Sequence, residues 1–536
     1  MRVYGSPPSA LLRAVDRDDG RVVFLGHVLA TERELRTAPL RELPGAYSCA
    51  TVTAAGVELH TDRAGQFPFH ISVRGHETLI AHHATLLAAL HSRTPDPLSA
   101  AIQIACPNVL PLTMGRSFFT DVGRYENAHH GPVAGLRAAL VEAVRRRGPG
   151  ASADFSGGID STSLAFLAAA DGPVDAVVYH HDRIPAADLD AARRAAALSD
   201  RIRLSVVTGD QHTLPYQGIS PDPPAFGATA DRTGLDWPAP GLLAYRRAAL
   251  RLDWARRREA EGTVHLTGEG ADALFQPPPS YLATLFRQGE LRRWASHSAR
   301  LSRLRQASAL DLAVRAARLA ATSHGRALRA LARSLARPSS ADAPGPGDAV
   351  GWWNVAGEAA GWLTPQIRGD LADLAGEPAT ARKLPAGLTP ARHATLASLR
   401  SAADAQRFLR TLGDHLGVAV HAPYLDDAVV GAVLDGPAPV PDPARAKPQL
   451  ADALAGLVPK VVLTRRTKGA YQAEEYAGAR AARRQIAGLL DDSRLADLGV
   501  VDPAAVRTTL TRLNAGAPVP LSALGRLVAL EVWLRR

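Results

Sequence analysis

The segment SGGIDST, residues 156–162, constrains the fold more than any other part of the sequence. It lies between the strand-like run ASADF and the apolar, helix-like run SLAFLAAA. Small residues at a strand-to-helix turn let the backbone approach a charged ligand closely, and the N–H groups at the start of the helix favour an anion. Ser156, Ser161 and Thr162 add hydroxyl donors. The pattern therefore predicts a phosphate-binding loop, although it lacks the lysine of a Walker A motif.

Asp160 lies inside this loop, where its negative charge would repel phosphate unless a cation lay between them. A carboxylate beside phosphates is a natural ligand for Mg²⁺. We therefore expect Asp160 to bind Mg²⁺. The alternative is an ordinary glycine-containing turn, which the combination of two glycines, an aspartate and several hydroxyls does not favour.

Strands and helices alternate after about residue 132. The helical run PVAGLRAALVEAVRRRG precedes the loop, and the strand-like runs VDAVVYHH, RIRLSVVT and TVHLTG follow it. This alternation predicts an α/β fold with a parallel sheet covered by helices on both faces. Residues 1–125 instead carry alternating β-branched and apolar residues, which predicts a sheet-rich, layered domain. We expect two domains, residues 1–125 and 126–536.

The cysteine content indicates the cellular compartment in which the chain is expected to act. Its 536 residues include only two cysteines, Cys49 and Cys106, and their spacing is not a zinc signature. Two cysteines cannot form a disulfide framework, so a reducing cytoplasm is expected. The sequence shows no signal-peptide pattern and no run of about 18 apolar residues, so we expect no stable membrane insertion.

Positive charge is carried almost entirely by arginine. The formal net charge is +10, and lysine occurs only at positions 383, 447, 460 and 468. A basic balance suggests nucleotide phosphates, nucleic acid or an acidic peptide as a partner, or composition bias alone. The arginine-rich stretch 283–337 is interpreted as solvated helices packed on the core. The alternatives are a docking surface for an acidic or peptide partner, and a surface that contacts a membrane.

The SGGIDST loop resembles the pyrophosphate loop of N-type ATP pyrophosphatases, specifically of the asparagine synthetase group. The resemblance implies that the loop holds the β- and γ-phosphates of ATP while a carboxylate attacks the α-phosphorus. The products would be an acyl-adenylate and pyrophosphate.

A second segment, LTGEGADALF at 266–275, is similar to the Gly-x-Gly-Ser-Asp segment of the same group. Asp272 matches its acidic residue, which implies a second Mg²⁺ ligand. Glu269 matches the variable site that faces the reacting centre, which makes it a candidate catalytic base. An acidic cap at a helix start is the alternative for both. The resemblance implies that ATP or pyrophosphate binds at Ser156, Gly157, Gly158, Asp160, Ser161, Thr162, Gly268 and Gly270.

Two further segments follow in the same order. VHAPYLDDAVV, residues 420–430, resembles the Arg-x-Pro-Phe-Leu-Asp segment, with His421 where arginine is usual and Tyr424 where phenylalanine is usual. We interpret it mainly as structural packing. LTRRTKGAYQAEEY, residues 463–476, puts Lys468 on the lysine that the group uses near the α-phosphate. A unit charge pair at about 4 Å contributes about 4 kcal/mol at an effective dielectric near 20, part of which could stabilise the transition state.

Residues 1–125 resemble the glutamine amidotransferase domain that precedes the synthetase in asparagine synthetases, an Ntn-type sandwich. The carrying segments are LPGAYSCATV and HTDRAGQFPFHI. In that family the nucleophile is a cysteine at position 2, whose own α-amine acts as the base. This sequence has Arg2 there, and Cys49 and Cys106 are internal. We therefore expect an inactive domain that supports the synthetase domain.

Without an internal ammonia source, the amine is expected on the substrate itself. Two branches of the family work in this way: the β-lactam and carbapenam synthetases, and the lasso-peptide cyclases. The run RRTKGAYQAEEY looks most like the cyclases, and Glu269 argues mildly against the β-lactam enzymes, which carry tyrosine there. The expected reaction is macrolactam formation in a precursor peptide with ATP and Mg²⁺. Lys468 and Glu269 are the expected catalytic residues, and Asp160 and Asp272 the metal ligands.

The resemblance to the cyclases also implies two partner proteins, a leader-peptide-binding protein and a leader peptidase, and we expect no nucleic-acid partner. Three alternatives stay open: a small-ring lactam synthetase, an ammonia-dependent asparagine synthetase-like enzyme, and a non-catalytic nucleotide- or nucleic-acid-binding scaffold.

Overall fold

The structure, a computed structural model, describes residues 11–18, 20–128, 131, 134–219, 235–258, 264–337, 346–353, 357–436, 441–465 and 472–535. The N-terminal elements are β1 (Leu12–Arg17), β2 (Gly20–Val28), α1 (Glu32–Thr37), β3 (Gly45–Thr53), β4 (Gly56–His60), β5 (Phe69–Arg74), β6 (Glu77–Ala81), α2 (Ala84–His91), α3 (Pro97–Ala105), α4 (Leu110–Thr113) and β7 (Val122–Tyr125).

The larger, C-terminal region contains five strands, β8 (Ser152–Asp154), β9 (Val174–His180), β10 (Ile202–Thr208), β11 (Val264–Leu266) and β12 (Ala419–His421). Its helices are α5 (Leu136–Arg145), α6 (Ile159–Ala169), α7 (Ala187–Ala196), α8 (Tyr245–Arg256), α9 (Ala271–Phe275), α10 (Tyr281–Arg287), α11 (Leu291–Arg305), α12 (Ala309–Ala320), α13 (His324–Ala336), α14 (Gly357–Ala360), α15 (Pro365–Gly376), α16 (Pro378–Arg382), α17 (Pro390–Leu416), α18 (Asp427–Leu434), α19 (Pro448–Ala453), α20 (Lys460–Leu463), α21 (Gln472–Ala481), α22 (Arg483–Asp491), α23 (Arg494–Asp497), α24 (Pro503–Asn514) and α25 (Leu521–Trp533).

Two antiparallel sheets form the N-terminal region, with strand orders β1-β2-β3-β4 and β6-β5-β7. Leu25, Ala46 and Leu59 of the first sheet share one buried cluster with Phe67 and Phe69 at the start of β5. The alternation of apolar residues along each strand produces these inward faces. The predicted sheet-rich, layered region is therefore confirmed, whereas its likeness to an amidotransferase stays a prediction.

The helices just before residue 125 belong to the core of the larger region. Ile104 of α3 and Leu112 of the α4 segment lie in one hydrophobic cluster with Leu371 of α15 and Leu524 of α25. All four side chains are buried. The N-terminal region is thus tied to the C-terminal helices through this shared core.

A parallel five-stranded sheet organises the larger region, in the order β10-β9-β8-β11-β12. Every neighbouring pair is parallel. The predicted strands before and after the SGGIDST loop correspond to β8–β11. Buried apolar residues such as Phe155, Leu164 and Leu266 form its core. The predicted parallel sheet is confirmed, and β8 lies at its centre.

The arginine-rich stretch forms α10 to α13. Apolar side chains such as Leu312, Leu328 and Leu331 are buried, whereas most of the arginines are exposed. This burial agrees with solvated amphipathic helices packed on the core. Among the described residues, no helix is both long enough and apolar enough to cross a membrane.

Candidate active site

Two loops meet at the carboxyl end of the parallel sheet. Strands β8 and β11 are adjacent and parallel, so the loops that follow them leave the same edge of the sheet. One loop leads into α6 and the other into α9. A Cβ added to Gly268 would lie 2.9 Å from the nitrogen of Ser161 and 3.2 Å from the Cβ of Asp160. The segments 156–162 and 266–275 therefore lie in direct contact.

One glycine in each loop, Gly157 and Gly270, is required by the fold. Gly157 has a φ of 71°, and a Cβ there would lie 2.5 Å from the nitrogen of Ala192 in α7. Gly270 has a φ of 93°, and its Cβ would lie 2.5 Å from the side chain of Leu425. A larger residue would need a strained left-handed backbone and would displace a neighbour. Sterics therefore demand glycine here independently of any ligand.

Serine hydroxyl groups accept hydrogen bonds from backbone N–H groups within the first loop. The nitrogen of Gly158 donates to Ser156 Oγ at 3.3 Å, and the nitrogen of Ser156 donates to Ser161 Oγ at 3.2 Å. Ser156 and Ser161 both line the cavity in front of the loop. The Thr162 side chain is fully buried instead and does not line it. Two of the three predicted hydroxyl donors are thus available to a ligand.

Lys447 joins the two loops. Its ammonium group forms an ion pair with Asp160 and lies 2.7 Å from Oδ1 of Asp272. The Lys447 side chain is only 4% exposed, and its backbone is left-handed, with φ 47°, at the start of α19. One buried cation between two carboxylates offsets half of their negative charge and leaves a net charge of −1. No motif in the sequence assigns Lys447 a role, although it is one of only four lysines in the chain.

Asp160 and Asp272 are therefore neighbours, as their predicted role as Mg²⁺ ligands requires. Within the described ranges, no group of three or more His, Cys, Asp or Glu side chains is arranged to hold a metal. Mg²⁺ commonly takes one or two carboxylates and completes its coordination with water and substrate phosphate oxygens. The pair thus fits a Mg²⁺ ion that is bound together with a phosphate ligand, rather than an ion held by the protein alone.

A cavity of about 600 Å³ opens in front of the two loops. Glu269, the candidate base, lines it together with Asp160 and Asp272. The size lies in the range of small-molecule sites. Most of the predicted site residues therefore surround one space. Lys468, the other predicted catalytic residue, lies outside the described residues.

Arg465 fixes the start of the segment 463–476 against the phosphate loop. It forms an ion pair with Asp188 of α7, and its Nη1 donates to the carbonyl of Ser156 at 3.3 Å. The Arg465 side chain is 13% exposed. These contacts place Arg465, three residues before Lys468 in the sequence, beside the phosphate loop.

Asp154, the last residue of β8, contributes a partly buried charge to the cavity wall. Arg251 Nη1 lies 2.6 Å from its carboxylate and His265 Nε2 lies 3.3 Å from it. Burial alone would raise the pKa of Asp154, but Arg251 and His265 lower it to about 2. The carboxylate is therefore ionised at neutral pH, and its negative charge is balanced within the wall.

The segment 420–430 has the structural role that was predicted for it. His421 is buried and stacks on His27 of the N-terminal region, with ring centroids 3.6 Å apart. Arg147 donates from Nε to Nδ1 of His421 at 3.1 Å and forms a two-bond ion pair with Asp426. The Tyr424 hydroxyl donates to the carbonyl of Asp160 at 2.9 Å, which supports the phosphate loop from behind.

The thiols of the N-terminal region are closed off from ligands. Cys49 and Cys106 are 0% and 2% exposed. Burial raises the pKa of both thiols to about 12. A thiolate is the nucleophilic form of cysteine, so neither residue is available as a nucleophile near neutral pH.

Comparison with known families agrees with this geometry. The model of the asparagine synthase family matches residues 135–535. The chain belongs to the asparagine synthase family. A search of curated proteins found no match to it. The matched range includes both loops, Lys447 and the predicted catalytic residue Lys468. Membership of the family supports an ATP-dependent ligase that forms amide bonds. Enzymes of this family generally use ATP and Mg²⁺.

Proposed function

We propose that the protein closes a macrolactam ring in a peptide, as lasso-peptide cyclases do. An Asp or Glu side chain of a processed precursor peptide attacks the α-phosphorus of ATP and displaces pyrophosphate. The α-amine of the same peptide then attacks the activated carbonyl, loses a proton and displaces AMP. The net change in the peptide is the loss of one water.

The observation that carries this proposal is a contrast between the two regions. The larger region combines a phosphate-type loop with paired carboxylates and a buried lysine. The only cysteines of the chain, Cys49 and Cys106, are buried and protonated, so neither supplies a thiolate to release ammonia from glutamine. An amine carried by the substrate removes the need for ammonia. The likeness of residues 465–476 to the cyclases then favours a peptide substrate.

Several residues in and beside the cavity have distinct tasks in this reaction. The hydroxyls of Ser156 and Ser161 and the N–H groups at the start of α6 donate to phosphate oxygens. Asp160 and Asp272 would hold Mg²⁺, which would neutralise phosphate charge. Lys447 holds these two carboxylates together and supplies a positive charge beside the phosphates.

Lys468 and Glu269 complete the proposed chemistry. Lys468 stabilises the charge that develops on the phosphate and then on the carbonyl oxygen. Glu269 lines the cavity and is the candidate acceptor of the proton that the attacking amine loses. Holding amine and carbonyl in one orientation supplies a further large share of the rate, because it makes the second step intramolecular. A leader-peptide-binding protein and a leader peptidase would deliver the peptide in the cytoplasm.

Mass spectrometry tests the proposal. Purified protein is incubated with ATP, Mg²⁺ and a leaderless peptide encoded beside the gene, and Lys468→Ala serves as the inactive variant. The expected result is a peptide lighter by one water, with AMP formed in equal amount and both products absent from the variant. Free aspartate with ammonia is assayed in parallel.

The other outcomes are equally decisive. Asparagine formed from aspartate and ammonia would favour an asparagine synthetase-like enzyme over a cyclase. Neither AMP nor product with any of these substrates would contradict a synthetase function and favour a nucleotide-binding scaffold.

A further inference from the structure

A second cavity adjoins the first. It has a volume of about 450 Å³ and shares Asn108, Arg247 and Ser401 with the cavity in front of the phosphate loop. Residues of α3, α17 and α25 contribute to its walls. Because the shared residues line both spaces, a ligand in the second cavity can extend to the reacting centre in the first.

Arg526 of α25 lines this cavity, and its guanidinium forms fewer hydrogen bonds than it has N–H donors. Its Nε donates to the carbonyl of Gln103 at 2.7 Å, its Nη2 to the carbonyl of Ile104 at 3.2 Å and its Nη1 to Ser522 Oγ at 2.7 Å. A guanidinium carries five N–H donors, so two remain. In the described part of the chain, no carboxylate lies within ion-pair distance of Arg526. Arg526 is thus a fixed cation that no described carboxylate pairs with.

Two further donors in the wall also lack an acceptor. Trp237 is 7% exposed, and its Nε1 has no hydrogen-bond partner among the described residues. Its indole ring is held in place by the guanidinium of Arg407, 3.8 Å from the ring centroid. The Nε of Arg116 is likewise buried and has no partner there, although its Nη1 contacts Asp96 at 3.3 Å. Buried donors without acceptors are rare in folded proteins, which suggests that a ligand supplies the acceptors.

We propose that this cavity binds the segment of the acyl substrate next to its reacting side chain. Arg526 and Trp237 donate to carbonyl or carboxylate oxygens of that segment. The chemical class of ligand is thus a short stretch of peptide rich in oxygen acceptors. This assignment rests on the proposed function for the identity of the substrate as a peptide.

The chemistry of the wall favours such a ligand. A peptide backbone presents a carbonyl acceptor at every residue, and an Asp or Glu residue adds two carboxylate oxygens. Asp404, an acidic group in the wall, is already paired with Arg407 at 3.3 Å. Glu475 also lines the cavity, so the wall carries two acidic groups against five arginines, Arg116, Arg124, Arg247, Arg400 and Arg526. The excess of positive charge favours a ligand that supplies oxygen acceptors. The volume is that of a small-ligand site, so only a few residues of the peptide lie inside.

Steady-state kinetics of AMP release tests the assignment, with the peptide and ATP varied separately. Arg526→Gln removes the cation and is expected to raise the KM for the leaderless peptide roughly tenfold to a hundredfold, as for a lost charged hydrogen bond. Arg526→Lys keeps the charge and should recover part of the loss. Trp237→Phe removes one N–H and should raise the KM for the peptide roughly two- to tenfold. The KM for ATP should stay within about twofold in all three.

Two matched controls separate recognition from folding. Arg137 also donates to main-chain carbonyls, those of Ala453 and Ala455, and lines neither cavity. Trp254 likewise has an Nε1 without a partner in the described residues and lies outside both cavities. Arg137→Gln and Trp254→Phe should leave the KM for the peptide unchanged.

Binding of the labelled peptide, measured by fluorescence anisotropy without turnover, separates this assignment from the proposed function. Peptide turnover with unchanged peptide KM in Arg526→Gln and Trp237→Phe would overturn the assignment and leave the proposed function intact. The unsubstituted protein could instead bind the peptide without turning it over, while the two variants fail to bind it. This result would support the assignment of the cavity and contradict the proposed cyclase function. Equal rises in the KM for peptide and for ATP would reveal a structural role only. Neither binding nor turnover would overturn both.

Discussion

Two clusters of buried charge in the larger region have similar chemistry but different surroundings. Arg147 and Asp426 pair with side chains 1% and 2% exposed, and they lie against the N-terminal region. Lys447 is also buried, at 4%, but Asp272, one of its two partners, is 62% exposed. The first cluster is closed on all sides. The second opens on a cavity through Asp160 and Asp272, so these two carboxylates can contact a ligand, whereas Lys447 does not line the cavity.

The difference in exposure indicates that the first cluster has a structural role and the second a functional one, although both use the same types of residue. In the Arg147 cluster, two parallel hydrogen bonds and a histidine satisfy the guanidinium. In the Lys447 cluster, one ammonium is shared between two carboxylates from different loops. A closed pair contributes to stability only if both partners remain, whereas an open one contributes to binding and catalysis. Substitution of each cluster should therefore change different properties.

The largest effect is expected on stability, from Arg147→Met. Removal of one partner leaves Asp426 charged and buried, which costs about 3–5 kcal/mol in the free energy of unfolding. Urea unfolding followed by circular dichroism measures the loss. Arg203→Met breaks an exposed pair with Asp175 and should cost less than about 1 kcal/mol. Equal effects of the two substitutions would contradict the contrast between closed and exposed pairs.

Lys447→Met should act on turnover instead. Loss of the cation beside the phosphates is expected to lower the rate of AMP formation roughly 10²–10³-fold, while the fold remains intact. Lys460→Met is the matched control, because Lys460 is exposed and lines neither the phosphate cavity nor its neighbour. The thermal midpoint of Lys447→Met could instead fall as far as that of Arg147→Met, while turnover per folded molecule stays unchanged. This result would show that the role of Lys447 is structural.

The closed cluster should also respond to pH. Burial lowers the pKa of His27 and of His421, with the charges of neighbouring arginines adding to the effect. Unfolded histidine binds a proton near pH 6.5, so below that pH the unfolded state binds more protons than the folded state. Stability should therefore fall as the pH drops from about 6.5, by about 1.4 kcal/mol per pH unit for each histidine.

Thermal midpoints between pH 7.5 and pH 5 measure this slope. His27→Phe keeps an aromatic ring against His421 but removes one titrating group, so its slope should be shallower than that of the unsubstituted protein. An identical slope would show that His27 is not responsible for the loss.

The smallest effect is expected at the cysteines. Cys49→Ala and Cys106→Ala remove thiols that are buried and protonated, so the rate of AMP formation at 20 °C should change less than about twofold. Glutamine should not replace the peptide amine in either variant or in the unsubstituted protein. Ammonia released from glutamine, and lost on Cys49→Ala, would refute the inactive status of the N-terminal region.

The features that sequence reasoning predicted correctly depend on local pattern. The run ASADF-SGGIDST-SLAFLAAA requires a strand, a tight turn and a helix, and that order alone places the loop at the carboxyl end of a strand. The same reasoning applies to residues 266–275. The alternation of strands and helices then predicts a parallel sheet, which brings the two loops to one edge.

The features that were missed depend on contacts between distant parts of the chain. Lys447 reaches Asp160, 287 residues earlier, through a left-handed backbone at the start of α19. Arg526 bonds to the carbonyl of Gln103, 423 residues away, because α25 packs against α3. Even Thr162, which the sequence predicts as a hydroxyl donor of the phosphate loop, lies in α6 with a fully buried side chain. Periodicity within a segment carries no information about such pairings.

The most direct test of the central claim, adenylation of a peptide carboxylate at the Lys447 cluster, is exchange of radiolabelled pyrophosphate into ATP. Reversible adenylation predicts exchange that requires the peptide's acidic side chain, continues when the peptide's α-amine is blocked, and is lost in Lys447→Met but not in Lys460→Met. Exchange that is absent in the unsubstituted protein, with ADP and phosphate formed in place of AMP and pyrophosphate, would contradict the account.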